Sequence, residues 1–457
     1  MEALTFESSQ ASRRIYYYGA GTMIEQSGEK SLGYWSAVAI GVGGMVGGGI
    51  FAVLGLAVQL AKGGTPVAFA IAGLVALVTA YSYAKLSVAY PSQGGTVEFL
   101  NQAFGVGLTA GGLNVLLWMS YVIMLSLYAY AFGSYGAMFF PTASQLIWKH
   151  VLISAIIILL TGLNLFNAKV VGELEEWVVG FKITILILFI AAGLRSVNLQ
   201  SMQPSSWAQP FQLIAGGMII FVAYEGFELI ANTAGEMRNP NKTIPKAYFS
   251  AVGFVIVLYV LISAVTLGNL PIKLIVVAQD YALAAAAKPF LGSFGYTLIT
   301  IAALLSTASA INATLYGASR VSYIIAKEGE LPVVLERKVW HQPLEGLFIT
   351  SGLTLLVANF FDLSSISTMG SAGFLLIFAA VNYANYKLYK QTRSHRIISL
   401  AGMLVNLIAL GILIWQRANE APKEVWVLII MLGLSFTIEA VYRQVTGRGI
   451  KLHSTSE

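Results

Sequence analysis

The sequence predicts an all-α integral membrane protein with twelve transmembrane helices, built as a five-plus-five inverted repeat in which helices 1 and 6 are broken, plus two extra helices. Three observations lead there. Of 457 residues, 57% are hydrophobic and only 11% charged, and apolar windows of about twenty residues, long enough to cross a bilayer as helices, recur along nearly the whole length. The pattern is not that of the short alternating strands of a membrane barrel. The first and sixth windows are each interrupted by glycine near the centre. Basic residues between the windows fall 19 on one side and 7 on the other, which orients both termini toward the cytoplasm.

Residues 1–31 are polar, carry Arg13, Arg14 and Lys30, and lack an apolar stretch. They read as a cytoplasmic tail and not as a signal peptide. Segment 1 follows, with G-V-G-G-M-V-G-G-G-I-F at residues 41–51. Gly41, Gly43, Gly44, Gly47, Gly48 and Gly49 stand inside an apolar run from about 32 to 60. Each interior glycine costs a helix about 1 kcal/mol relative to alanine, so three in succession mark a place where the helix can open. Backbone groups freed in hydrocarbon are tolerated only where they line a cavity or meet a ligand. The stretch therefore reads as a broken helix forming a binding site at mid-membrane. The same glycines also suit close helix packing, through Gly43 and Gly47.

Segment 2 runs over 66–90 and ends in Y-P-S-Q-G-G, where Pro91, Gly94 and Gly95 stop a helix. Segments 3 and 4 cover 107–136 and 151–168. Segment 5 covers 173–194, with Glu173, Glu175 and Glu176 expected in its first turn, where a helix N-terminus favours negative charge. Lys182 lies near its middle, in V-V-G-F-K-I-T-I-L-I-L-F. It is too far from either helix end to snorkel, and burial disfavours its charged form. A lysine that gains and loses a proton beside a binding site is a candidate proton carrier. The alternative is a permanently charged lysine held by a carboxylate for structure.

Segment 6, 212–235, reads I-I-F-V-A-Y-E-G-F-E-L-I-A-N-T-A-G-E and holds Glu225 and Glu228 around Gly226. Carboxyl groups deep in an apolar span cost a few kcal/mol each on insertion scales and usually face a cavity or a partner; a neutral Glu228 hydrogen-bonded between helices is the simpler alternative. Segment 7 spans 247–269 and is followed by an amphipathic stretch, 273–291, too short and polar to cross. Segment 8, 295–326, carries S-T-A-S-A-I-N-A-T-L-Y-G-A-S-R, small and hydroxyl residues suited to close packing or ion coordination. Segments 9 (345–361), 10 (364–388), 11 (397–416) and 12 (424–442) complete the count. Segments 1 and 6 each open a set of five spans with a glycine-interrupted centre, which is the sequence pointer to inverted repeats meeting at a shared site. The expected units are the tail 1–31, a first repeat 32–194, a second repeat 211–388, helices 11 and 12 over 397–442, and a cytoplasmic tail 443–457.

Composition also excludes. There is no cysteine, so thiol chemistry and a disulfide framework are absent. The four histidines, His150, His341, His395 and His453, fall in expected loops or the tail, which argues against a metal or histidine-driven centre in the membrane. The net charge of +6 reflects loop anchoring rather than nucleic-acid binding. No nucleophile, base and orienting group recur at helical spacing, so an enzyme is not expected. Neither is a channel, for want of a charged filter or repeated pore loop.

The chain resembles the amino acid, polyamine and organocation (APC) transporter superfamily over roughly residues 30–440. Gly47-Gly48-Gly49-Ile50-Phe51 resembles its G-x-G-I-F pattern, and Y-A-K-L-S-V-A-Y-P-S-Q-G-G resembles the end of its second helix. F-V-A-Y-E-G-F-E-L-I-A-N-T-A-G-E-M-R-N-P-N-K-T-I-P is similar to the pattern of helix 6 and its loop. S-T-A-S-A-I-N-A-T-L-Y-G-A-S-R-V-S-Y-I-I-A-K-E-G-E-L-P is similar to that of helix 8. Four motifs in family order make the match specific. The resemblance implies the ten-helix leucine-transporter-like inverted repeat with two added helices, and a site where the amino-acid carboxylate lies on N–H groups of Gly48 and Gly49. The ammonium is then held by carbonyls near Met45 and Val46, and near Ala223, Tyr224 and Glu225. Gly47, Phe221 and Gly226 complete the implied substrate-binding set. Lys182 matches the segment 5 lysine of proton-coupled members, reaching helix 1 carbonyls and the Ser306 and Thr307 region, with Glu228 as a further proton-coupling candidate. Two departures stand out: Lys85 replaces the usual glutamate, and Glu225 stands where many members are apolar.

The expectation is a secondary active transporter, a symporter carrying an amino acid with a proton by alternating access in the cytoplasmic membrane, with no cofactor. Its partners are the amino acid, the proton and the lipid bilayer, with no nucleic acid, in a monomer or weak homo-oligomer. An amino acid/polyamine exchanger without net proton coupling, or a transporter-like sensor, is the alternative.

Overall fold

A computed structural model describes residues 32–105, 107–166, 169–327 and 344–446. The chain enters its first span through α1 (Tyr34–Met45), opens over residues 46–48, and resumes as α2 (Gly49–Ala61), bent by 45° from α1. It returns through α3 (Thr65–Ala89), which starts with Pro66 in its first turn, where a missing N–H costs nothing. A short α4 (Thr96–Phe104) lies on the side where α1 begins, and α5 (Leu108–Ala137), α6 (Gln145–Phe166) and α7 (Lys169–Gly193) follow. The next span is also bent: α8 (Pro210–Ile219) meets a 3₁₀ helix over Phe221–Glu236 at 41°. Then come α9 (Pro240–Asn269), the short α10 (Ile272–Val277), and α11 (Ala282–Lys327), kinked at Gly292, whose φ of 63° suits a residue without a Cβ. Last are α12 (Leu344–Phe360), α13 (Leu363–Lys387), a single turn α14 (Tyr389–Thr392), α15 (Arg396–Glu420) and α16 (Pro422–Thr446).

Burial sorts these helices into an interior and a shell. In α5, 83% of the apolar 18-residue window is buried, against 28% in α15 and 22% in α16. The last two helices therefore present most of their apolar surface outward, as lipid-facing helices do. An aromatic cluster ties the interior together: Tyr83 of α3, Phe227 of the 3₁₀ helix and Phe378 of α13 stand with ring centroids 5.2–5.5 Å apart.

Between α3, α13 and α15 runs a buried polar seam. Ser82 donates to Asn382 at 2.7 Å, and Asn382 donates to Thr79 at 3.1 Å. Asn406 donates to the same Thr79 oxygen at 2.8 Å, and Asn385 donates to Ser399 at 2.8 Å. Such cross-helix bonds contribute where no hydrophobic force drives helices together in lipid. Asn382→Leu is expected to lower stability by about 1–2 kcal/mol, seen as a lower midpoint of thermal unfolding in detergent. An unchanged midpoint would show the seam to be incidental.

Nine helices among the described residues are long and apolar enough to span, and the two bent pairs bring the number to 11. The twelfth expected span corresponds to the shorter apolar helix Glu345–Phe360. Other expectations need correction. α7 begins at Lys169, so Glu173, Glu175 and Glu176 are past its first turn. α9 begins at Pro240 rather than at 247. The sixth span breaks at Ile220, not at Gly226. Residues 1–31, most of the tail 443–457, and the K-E-G-E-L-P end of the segment 8 motif lie partly or wholly outside the described residues; α16 itself continues to Thr446.

Candidate functional site

The two broken spans pack directly against each other. Gly226 of the 3₁₀ helix faces Gly44 of α1, and a Cβ at Gly44 would stand 2.7 Å from the Gly226 carbonyl oxygen and 2.9 Å from the side chain of Leu229. One step along, a Cβ at Gly49 would lie 2.9 Å from the Cα of Ala223. Neither approach leaves room for a Cβ, which explains glycine at positions 44 and 49. Close packing explains others too: α7 presses Val179 against Gly43, and α11 presses Ala310 against Gly47. The glycine run therefore both opens the helix and lets its neighbours pack closely.

Opening the helix frees carbonyls, and the structure shows what meets them. Tyr259 of α9 donates its hydroxyl to the Met45 carbonyl at 2.7 Å and lies 3.2 Å from the Ala223 carbonyl oxygen. Carbonyls from the two broken helices thus converge on one point. Ser306 of α11 meets the Val46 carbonyl at 2.9 Å and that of Gly47 more closely still. Lys182, 1% exposed, donates to the Gly43 carbonyl at 3.0 Å. Carbonyls at the C-terminal end of a helix attract cations, so one face of the α1 end holds a lysine and a serine, and the other a tyrosine hydroxyl. Thr307 turns to its own helix instead, donating to Ala303 at 2.7 Å.

The sixth-span break is stitched by α13. Ser367 and Ser371 both donate to the Ile219 carbonyl at 2.7 Å, and the N–H of Val222 donates to Ser371 at 3.0 Å. Beyond the break, Phe221 is buried edge-on to Phe378, and Tyr224 is anchored through its hydroxyl to the Phe69 carbonyl at 2.9 Å.

The two carboxyl groups part company. Glu225 accepts from Tyr128 of α5 at 3.4 Å, and the Tyr128 ring covers Gly48, where a Cβ would lie 2.8 Å from ring carbon Cε1. The other oxygen of Glu225 is buried without a hydrogen-bond partner in the protein. Glu228 is bound away from the break, accepting from Tyr83 and Thr96, each at 3.1 Å. Thr96 opens α4, so Glu228 links the 3₁₀ helix to the loop helix on the side where α1 begins.

On that side a cavity of about 460 Å³ lies between the half-helices, lined by Ser36, Ile40, Val179, Asn232, Glu236 and Tyr316 among others. The structure brings Lys182, Ser306 and the Met45–Gly49 break together with Ala223 and Gly226. Tyr259, Tyr128, Ser367 and Ser371 also meet the broken spans, and sequence reading missed them. A tyrosine or serine in an apolar span carries no periodic signal, and only the folded chain shows which of them face a break.

Comparison with known proteins matches residues 32–436 to the family model described as amino acid permease. An uncharacterized protein of Methanocaldococcus jannaschii is 37% identical over 427 residues, covering 92% of this chain and 97% of its own. The inner membrane transport protein YbaT of Escherichia coli K12 is 34% identical over 424 residues, covering 92% and 97%. The methylthioribose transporter of Bacillus subtilis is 26% identical over 439 residues, covering 89% and 92%. With a match across most of its length, and with spans that make it a multi-pass membrane protein, the chain belongs to the amino acid permease family of APC-type transporters and is not an enzyme.

Proposed function

We propose that the protein moves an amino acid across the cell membrane as a secondary active transporter coupled to protons, by alternating access around the two helix breaks. The observation that carries this reading is the convergence of the Met45 and Ala223 carbonyls on one point between the breaks. That point suits an α-ammonium, and the opened N–H groups of Gly48 and Gly49 at the start of α2 suit the α-carboxylate. On arrival the ammonium takes over the carbonyls that Tyr259 now occupies, and Tyr128 swings off Gly48.

Lys182 and Ser306 hold the other carbonyls of the α1 end. A lysine there does a cation's work while protonated and ceases to do so when it loses the proton, which ties the state of α1 to a proton. The loop bias of 19 to 7 supports a cytoplasmic location for the side where α1 begins. The 460 Å³ cavity then corresponds to an inward-facing state. The name of the Escherichia coli relative supports the cell membrane as location.

Glu225 favours a second reading. A buried carboxyl oxygen without a protein partner beside the site suits a substrate with positive charge beyond its α-ammonium, such as a cationic amino acid or a polyamine taken in exchange.

Uptake into proteoliposomes of a radiolabelled panel of amino acids, polyamines and methylthioribose, with and without an inward proton gradient, tests both. Gradient-driven accumulation of an amino acid is the expected result. Uptake that ignores the gradient and needs substrate inside would favour exchange, and no uptake of any panel member would overturn transport.

A further inference from the structure

A second cavity, of about 350 Å³, lies at the opposite end of the molecule from the first. It is lined by Leu56, Gln59 and Leu60 of α2, Asp280 before α11, Asp362 at the start of α13, and Arg417 and Glu420 at the end of α15. With the side where α1 begins in the cytoplasm, this pocket faces outward. It rests directly on the outer half of the broken first helix.

Its chemistry is unusual for an apolar bundle. Arg417 is only 5% exposed. It is ion-paired with Glu424, its Nε 3.5 Å from a carboxylate oxygen, yet neither Nε nor Nη2 makes a hydrogen bond within the protein. A guanidinium has five donors in a planar fork that matches a carboxylate, and leaving such donors buried without acceptors is costly. Each of the acidic groups around it makes its contacts through one carboxylate oxygen. Asp280 is paired with Lys149 at 2.7 Å and accepts from Ser134 at 3.2 Å. Asp362 caps α13 through the N–H of Ser365 at 2.7 Å, and Glu420 accepts from Gln416. The pocket thus sets one forked donor among three carboxylates.

We propose that this pocket is an outer docking site for an α-amino acid, with the substrate carboxylate on Arg417 and its ammonium among Asp280, Asp362 and Glu420. The amino acid is captured here before it reaches the helix breaks, and its contact with α2 links capture to the helix that must move. The assignment gives the first of the two added helices, α15, a part in recognition that the ten-helix core lacks. It rests on the transport reading for its orientation and its ligand class.

The test compares wild type, Arg417→Gln and Glu424→Gln, using the panel amino acid that gives the largest uptake and its decarboxylated amine. Uptake is measured in right-side-out and inside-out vesicles, and equilibrium binding of the same labelled probes is measured on purified protein. Loss of a charged hydrogen bond predicts that Arg417→Gln raises the KM for outside amino acid about 10-fold or more. It leaves kcat, the KM from the cytoplasmic side, and the KM of the amine unchanged. Glu424→Gln, which keeps the fork, leaves the outside KM intact. Three results would overturn the proposal: equal KM changes from both sides, reproduction of the effect by Glu424→Gln, which marks an α15–α16 strut, or a wild-type outside KM that depends on chloride while Arg417→Gln does not, which marks a free inorganic anion. Binding without any flux would remove the transport reading alone, and the pocket is then judged by whether Arg417→Gln weakens that binding. No binding of any panel amino acid overturns both.

Discussion

Lys182→Ala is expected to abolish gradient-driven accumulation while leaving substrate binding within a few-fold of wild type. A difference of one pH unit supplies about 1.4 kcal/mol per proton, and a one-proton symporter converts that into about tenfold accumulation. In Lys182→Ala the inside-to-outside ratio should fall to about one. The reason is local: Lys182 is buried against the Gly43 carbonyl at 3.0 Å, at the α1 end and away from the Met45 and Ala223 carbonyls that Tyr259 meets. Removing it frees α1 from this hydrogen bond without touching the point assigned to the ammonium. Lys182→Arg separates charge from titration, since a guanidinium does not lose its proton; that variant should bind substrate and still fail to accumulate it. Concentrative uptake by Lys182→Ala in a proton gradient would sink the coupling role. Loss of binding together with a large fall in unfolding temperature would assign the lysine to structure instead.

Gly226→Ala should be among the most damaging single-methyl changes in the molecule. The added carbon meets the backbone of Gly44 and Met45, and backbone cannot rotate aside as a side chain can. Overpacking of this kind costs about 1–3 kcal/mol where neighbours can shift, and the upper end or beyond is expected here. The matched control is Gly411→Ala in α15, where nothing lies within 4 Å of the added carbon. There the gain in helix propensity should make the change neutral or stabilising by up to about 1 kcal/mol. Thermal unfolding in detergent reads the contrast, together with transport, which should fail in Gly226→Ala because the two half-helices can no longer approach. Equal midpoints for the two variants would contradict the contact.

Much of this architecture was legible before folding. Apolar windows gave the spans because a helix in lipid must satisfy its own backbone and cover about twenty residues. Chain breaks were legible at residues 46–48 because consecutive glycines weaken a helix whatever surrounds them. At the sixth span the same logic pointed to Gly226 and was misled. Gly226 stays inside the 3₁₀ helix and serves the contact with Gly44, while the break at Ile220 depends on Ser367 and Ser371 of α13, about 150 residues away. No local signal can carry that.

The motif residues were conspicuous in the sequence, but not what each group contacts. Lys182, Glu225 and Glu228 were conspicuous because a titratable group in an apolar span is rare. Only the packed helices assign Lys182 to the Gly43 carbonyl, Glu225 to Tyr128, and Glu228 to Tyr83 and Thr96. Arg417 shows the same limit from the other direction, since at a helix end it reads as an ordinary anchoring charge. By itself, then, the sequence determined the membrane class and the first break, which follow from composition, periodicity and local backbone energetics, and its four motifs pointed to the family. The tertiary structure alone decided which hydroxyls cap the opened carbonyls, where the second break falls and which charges face a cavity, because those depend on contacts between residues far apart in the chain.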